Sequence, residues 1–264
     1  MKRIAVLSAL FLSGCALRIS HTIKPFTETA MTLVKDPLDI RFIRPSNANE
    51  KPVLILFVTG DGGWRKLDED VFTWIGRRGY PVAGFSASRY LKTMSQVSDV
   101  TTPPKLAADF ARVIDFAKQS MQLPPKTPVI LIGISRGAGL ASIAAGQPSL
   151  RSHVAGVIAV ALSDIEEHVL HRRGRAAKRK WVAVETYVYL RKLTDLPFEI
   201  IQSTHDKYTT ATQARRLLGA DTPLHHLHPI EATSHTFRGG VPALLAELQN
   251  SLDVLCSNSA TAYP

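Results

Sequence analysis

Three stretches of this chain are apolar almost without a break: Val53–Val58 (VLILFV), Pro128–Ile134 (PVILIGI) and Val154–Leu162 (VAGVIAVAL). Each has strand length and is rich in Val and Ile. None alternates apolar with polar residues, so neither face of such a strand can meet water. Strands of this kind belong to a mostly parallel sheet with helices packed on both sides. The segments between them carry the helical period that this requires. Leu67 to Arg78 has acids early and arginines late, which suits the helix dipole. Pro103 to Met121 places Leu106, Phe110, Val113, Ile114 and Ala117 on one face after a Pro-Pro start. Shorter strands are expected at Pro81 to Phe85, Phe198 to Gln202 and Leu224 to Ile230. Helices are expected at Arg136 to Gly146, Thr209 to Leu218 and Val241 to Leu255. A length of 264 residues is enough for a single large core, and no internal repeat divides the chain.

The N-terminus has a different character. Met1-Lys2-Arg3 is a positive start, Ile4 to Leu12 is a short apolar stretch, and Leu12-Ser13-Gly14-Cys15 follows. The stretch is too short to span a bilayer and reads as a signal peptide over residues 1–14. Its ending is similar to the bacterial lipoprotein box, in which the cysteine is lipidated. The expectation is a protein on the periplasmic side of a bacterial membrane, anchored through Cys15. Residues 15–38 form a tether in this reading, and one α/β domain covers 39–264. An ordinary secretory signal cut a few residues later is the alternative. The formal net charge of +10 asks for an anionic partner. Outside the cytoplasm that partner is an anionic phospholipid surface rather than nucleic acid. The chain has two cysteines, and if Cys15 carries lipid then no second cysteine remains for Cys256 to form a disulfide with, and no Cys-rich zinc site can be built.

The apolar run at 128–134 ends in Gly133-Ile134-Ser135-Arg136-Gly137, a Gly-x-Ser-x-Gly string that opens a helix of small residues. On its own the string is a weak signal. A serine hydroxyl becomes a nucleophile only when a base takes its proton and a third group orients the base. In the α/β-hydrolase fold these follow in the order Ser, acid, His, each on a loop after a strand. The chain supplies that order. Asp206 follows the strand at 198–202, and His235 follows the one at 224–230. Asp206 could instead cap a helix before Thr209, and Glu231 is the other acid that could orient the base. His205 adjoins the acid and so points elsewhere. His225, His226 and His228 lie within a strand with no acidic or Cys companions at ligand spacing, and read as strand positions rather than metal ligands. No metal or organic cofactor is required.

The reaction also needs an oxyanion hole. The backbone N–H of Arg136 and that of Asp61, in the loop Thr59-Gly60-Asp61-Gly62-Gly63-Trp64, are the candidates. The Asp61 carboxylate is unusual beside a developing oxyanion. It either forms an Asx-turn or is aimed at something positive. Residues 163–195 break the strand–helix alternation and sit where cap elements insert. Arg172, Arg173, Arg175, Lys178, Arg179 and Lys180 make that insertion basic, either as a membrane contact or as a solvated face.

These stretches together resemble the AcvB/VirJ family of bacterial virulence proteins. The resemblance is carried by Gly60-Asp-Gly-Gly-Trp64 with Arg65 and Leu67-Asp68, and by Ser88-Arg89-Tyr90. Pro104 with Ala108-Asp109, Arg112 and Ile114, the Gly133–Gly137 elbow, and Ile165-Glu166-Glu167-His168 complete it. It implies a periplasmic serine hydrolase that cleaves aminoacyl-phosphatidylglycerol, removing lysine or alanine and restoring the phospholipid. The alternatives are a general carboxylesterase or lipase with the same triad and a non-catalytic membrane-tethered binding protein on the same fold. Under that resemblance, Asp61, Glu166 and Glu167 are receivers for the aminoacyl ammonium, Trp64 lines the pocket, and Arg136 offers a guanidinium to the lipid phosphate. The sequence departs from the family pattern at Arg136, where an aromatic is expected, and at Ala138-Gly139, which replaces a small-acidic pair.

Overall fold

The computed structural model describes residues 26–33, 36–45, 50–95, 102–170 and 180–262. In chain order the elements are β1 (Thr27–Thr32), β2 (Pro37–Ile43), β3 (Leu54–Val58), α1 (Lys66–Arg77), β4 (Val82–Phe85), α2 (Ala87–Ser95) and α3 (Pro103–Ser120). They continue with β5 (Val129–Ile134), α4 (Arg136–Ala145), α5 (Pro148–Arg151), β6 (Val154–Val160), β7 (Ile165–Leu170), β8 (Lys180–Glu185) and α6 (Thr186–Leu190). The last are β9 (Phe198–Ser203), α7 (Ala211–Leu218), β10 (His225–Ile230) and α8 (Val241–Ala262). Among the described residues, eight strands form one sheet in the order β1-β2-β4-β3-β5-β6-β9-β10. β1 and β2 run antiparallel at one edge, and β4 through β10 in this order are parallel.

The apolar runs are strands with both faces covered. In β3, Leu54, Leu56 and Val58 enter one core while Ile55 and Phe57 enter the other. In β5, Val129 and Leu131 join the first, and Ile130, Ile132 and Ile134 the second. The first core is closed by residues of α2 to α7, among them Phe110, Leu140, Tyr187 and Ala214. The second is closed by Val71, Phe72 and Ile75 of α1 and by Leu244, Leu248, Leu252 and Leu255 of α8. No helix among the described residues is long and apolar enough to cross a membrane. The direction of winding reverses at β3, which has β4 on one side and β5 on the other. A crevice therefore opens at the carboxyl ends of β3 and β5, where a doubly wound sheet binds its ligands.

The N-terminal boundary of the domain needs correction. The segment expected to be a tether up to residue 38 instead supplies β1 and the start of β2, so the domain begins before residue 39. β1 reads TETAMT and is mostly exposed, so its polar pattern gave no strand signal. It is held by β2 in register and by Arg112 of α3, whose Nη1 and Nη2 donate to the Leu33 and Thr32 carbonyls. In the insertion at 163–195, β7 and β8 form a separate antiparallel hairpin that leads into α6. Cys15 and Arg172, Arg173, Arg175, Lys178 and Arg179 lie outside the described residues, and Lys180 is the first residue of β8.

The histidines of β10 do have acidic neighbours, supplied from other elements. Glu199 of β9 is buried, and its two carboxylate oxygens meet His226 Nδ1 at 2.9 Å and His228 Nε2 at 2.6 Å. His228 Nδ1 also meets Glu247 of α8 at 3.0 Å. His225 turns away, its Nε2 against the Leu196 carbonyl at 3.2 Å. Burial works against a charge on His228, but the Glu199 hydrogen bond and the Glu247 and Glu199 charges outweigh it and raise its pKa above the ordinary 6.5. A pKa raised by folding adds stability that is fully present below the free imidazole value and is lost as the pH rises through the folded value. His228→Gln is therefore expected to lower unfolding free energy by about 1–2 kcal/mol at acidic pH and by less above neutrality. Urea denaturation at both pH values checks this; equal losses would mean that the charge on His228 contributes nothing.

Candidate active site

Ser135 is the residue between β5 and α4, and its backbone sits at φ 54, ψ −118, a conformation that L side chains rarely adopt. Strain of this kind persists only where the surroundings enforce it. Its N–H donates to the Val160 carbonyl at 2.8 Å, and the first turn of α4 bonds back to its carbonyl. The flanking glycines are obligatory for packing. A Cβ on Gly133 would lie 2.2 Å from the Gly137 carbonyl oxygen, and one on Gly137 would lie 2.2 Å from the Val58 carbonyl oxygen. The hydroxyl is thereby lifted above the strand ends into a cleft of about 1030 Å³.

The structure brings Ser135, His235 and Asp206 together. His235 Nε2 lies 2.8 Å from Ser135 Oγ, and His235 Nδ1 lies 2.6 Å from Asp206 Oδ2. These contacts assign the imidazole one tautomer: Nδ1–H donates to the buried carboxylate, leaving Nε2 to accept from the serine hydroxyl. Asp206 also accepts from the Tyr208 backbone N–H at 2.8 Å and from Gln202 Nε2 at 3.3 Å. It does not cap α7. That cap is Thr210, which accepts from Gln213 N–H in a reciprocal capping box. Glu231 is exposed and occupied elsewhere, accepting from Thr204 Oγ1 at 3.1 Å and lying 3.6 Å from His205 Nδ1. Tyr208 packs edge-on against the His235 ring with centroids 4.8 Å apart. Tyr208 and Gln202 carried no sequence signal as site residues. The spacing from Asp206 to Tyr208 is that of an Asx-turn, which only a known role for Asp206 would have brought out.

The loop after β3 meets Ser135 from the other side. A Cβ on Gly60 would stand 3.4 Å from Ser135 Cβ, and Asp61 and Arg136 both line the cleft. The Asp61 carboxylate is aimed at Arg136, whose Nε and Nη2 donate to it at 2.9 and 3.3 Å. Arg136 Nη1 donates to Glu166, a buried carboxylate of β7 that fits because Gly139 has no side chain there. Burial disfavours the guanidinium charge, yet the Asp61 and Glu166 hydrogen bonds and charges raise the Arg136 pKa above its ordinary value. Two of the residues read as ammonium receivers, Asp61 and Glu166, thus already hold an arginine. Glu167 lies opposite Ala183 in the hairpin register.

Trp64 does not line the cleft. Its ring stacks on Phe57 at 5.8 Å, meets Phe72 edge-on at 5.0 Å, and has the Arg41 guanidinium 4.3 Å from its centroid. Aromatic stacking and a cation–π contact hold it in the packing beneath the loop.

An eight-stranded, mostly parallel sheet with a serine on a strained strand-to-helix turn, a histidine and a buried aspartate in hydrogen-bonded series defines an α/β-hydrolase fold carrying a Ser–His–Asp array. The match to the family of bacterial virulence proteins called VirJ runs over residues 52–186, just over half of the chain, and the chain belongs to that family. The matched span includes Ser135 and ends before Asp206 and His235. No curated protein matches the chain. Solved structures agree in fold at low identity. Est1E from Butyrivibrio proteoclasticus superposes with a TM-score of 0.61 at 12% identity, covering 86% of this chain and 98% of that one. A soluble variant of the monoglyceride lipase from Saccharomyces cerevisiae gives 0.62 at 12%, covering 89% and 97%. XC6422 from Xanthomonas campestris, described as an α/β serine hydrolase without a lid, gives 0.57 at 14%, covering 88% and 95%.

The two arms of the Arg136 clamp differ in burial, and so should their energetic weights. The Glu166 side chain is 3% exposed and that of Asp61 63%. Arg136→Met removes both arms, taking the guanidinium from a buried carboxylate, and is expected to cost about 3–5 kcal/mol. Asp61→Asn loses a solvent-screened contact and should cost less than about 1 kcal/mol. Chemical denaturation of both variants measures the difference. Equal losses would show that burial does not separate the two pairs.

Proposed function

We propose that this protein is a serine esterase that removes the amino acid from aminoacyl-phosphatidylglycerol at the periplasmic face of a bacterial membrane, to which it is anchored through Cys15. The observation that carries the reading is the hydrogen-bonded series Ser135, His235, Asp206 opening into a cleft of about 1030 Å³. In this reading His235 takes the Ser135 proton as the hydroxyl oxygen attacks the aminoacyl carbonyl. Asp206 holds the imidazolium that forms, and the backbone N–H groups of Asp61 and Arg136 receive the oxyanion. His235 then returns the proton to the departing glycerol oxygen of phosphatidylglycerol. Water repeats the sequence on the acyl-enzyme and releases the amino acid.

The cleft surroundings suit a substrate that lies in a charged lipid surface. Ile165 and Tyr208, 47% and 56% exposed, stand at its margin together with Arg65, Lys66 and Lys207. Apolar side chains flanked by cations favour an anionic interface, each cation contributing about 1 kcal/mol near such lipid. Asp164 supplies a further carboxylate to the lining, for the α-ammonium of the acyl group. A general carboxylesterase with the same triad is the second reading, favoured by an esterase domain from Rhodothermus marinus and the monoglyceride lipase, which share the fold.

The test uses vesicles containing lysyl- or alanyl-phosphatidylglycerol and measures the free amino acid released. Wild-type protein is expected to release it, and Ser135→Ala to lose at least about 10⁴-fold in rate. Asp206→Asn should lose about 10⁴-fold as well, because the histidine would adopt the wrong tautomer. Hydrolysis of simple esters without release from the vesicles would keep the triad and replace the substrate with that of the second reading.

A further inference from the structure

Asp68, at the third position of α1, is buried, although an acid there ordinarily caps its helix from the surface. One carboxylate oxygen serves the helix, since Oδ2 accepts from the Arg65 N–H at 3.4 Å. The other reaches outside it, with Oδ1 accepting from the Gly60 N–H at 3.0 Å. Gly60 and Arg65 are the two ends of the turn that contains Asp61. Within the turn, Gly63 N–H donates to the Gly60 carbonyl at 3.0 Å, and Arg65 N–H donates to the Gly63 carbonyl at 2.8 Å. A single buried carboxylate therefore ties both ends of this loop together, on the side of Gly60 that continues into β3. Gly60 in turn stands against Ser135, with 3.4 Å between the position of its missing Cβ and the serine Cβ.

We propose that Asp68 is a positioning residue that fixes the direction of the Asp61 N–H toward the oxyanion formed at Ser135. The proposal rests on the reading of Ser135 as the nucleophile. Burying a carboxylate is unfavourable unless it is hydrogen-bonded, and here the bonds it receives come from the loop it holds. Burial raises the Asp68 pKa, opposed by the backbone bonds from Gly60 and Arg65. The stabilisation an oxyanion donor gives depends on where it points, and an error of about 1 Å in a reacting group costs on the order of 10²-fold. Ground-state binding of an ester does not use this donor, so the loss should fall on kcat.

The test compares wild-type protein with Asp68→Asn and Asp68→Ala on a p-nitrophenyl ester. A second measurement is the affinity for a small alkylboronic acid, which forms a tetrahedral adduct on the serine. Asn keeps the volume of the side chain, so it carries the test where Ala misfolds. Its amide has one acceptor for two N–H donors. The expected result for Asp68→Asn is a fall in kcat of roughly 10–100-fold with KM within about threefold. Boronate affinity should fall in proportion to kcat. A carboxylate that merely caps α1 would lower the melting temperature and leave kcat and boronate affinity unchanged, which overturns the proposal. A rise in KM at constant kcat overturns it too. Wild-type protein inert toward esters and fluorophosphonate labelling would remove the nucleophile reading and this one with it. Active wild type beside an unimpaired Asp68→Asn would remove this one alone.

Discussion

The backbone contact between β3, β5 and the start of α4 is the constraint on which the site rests. With no side chain at 133 or 137, α4 packs so closely that Gly137 faces the Val58 carbonyl and Gly133 faces Gly137. That approach forces the turn at Ser135 into a positive φ, and it brings the loop after β3 beside the serine. The serine turn and the Gly60–Asp61 loop beside it are two consequences of one close contact. Their relative position is set by sheet geometry rather than by flexible side chains, which is how a strained residue can be kept in place.

The base and the acid reach the same place by another route. β9 and β10 lie in parallel register, Phe198 opposite His225 through Ser203 opposite Ile230, so their following loops emerge side by side. Asp206 and His235 are 29 residues apart in sequence but adjacent at the strand ends. Around them the fixed charges are largely paired: Arg136 between Asp61 and Glu166, Lys66 with Asp70. A cleft furnished with ion pairs presents orientation and dipoles more than net charge, with Arg65, Asp164 and Lys207 also in its lining.

What the sequence disclosed follows from the same physics. Strands buried on both faces leave unbroken apolar runs, so β3, β5, β6 and β9 were legible within a residue or two at their ends. Ser135, Asp206 and His235 each follow a strand, and parallel strands deliver such residues to one edge of the sheet, so their proximity was legible in their order. Exposed β1 was illegible because its stability comes from its partner strand and Arg112, not from its own pattern. Trp64 was misplaced because an aromatic in a glycine-rich loop gives no clue to which side it faces, and the deciding partner, Arg41, is on β2. The counterions of Arg136, and of the β10 histidines, come from residues tens of positions away, and only the fold brings them together.

The Arg41 stack has a consequence for any shortened form of the protein. The guanidinium lies 4.3 Å from the ring centroids of both Trp64 and Phe26, and it is also bound to Glu28 and Glu69. Phe26 immediately precedes β1. A protein begun at residue 27 keeps every described strand together with Ser135, Asp206 and His235, yet it loses one of the two rings that hold the arginine near the Gly60–Asp61 loop. Phe26 thus belongs to the packing that supports Trp64, and a cut just before β1 removes part of that support.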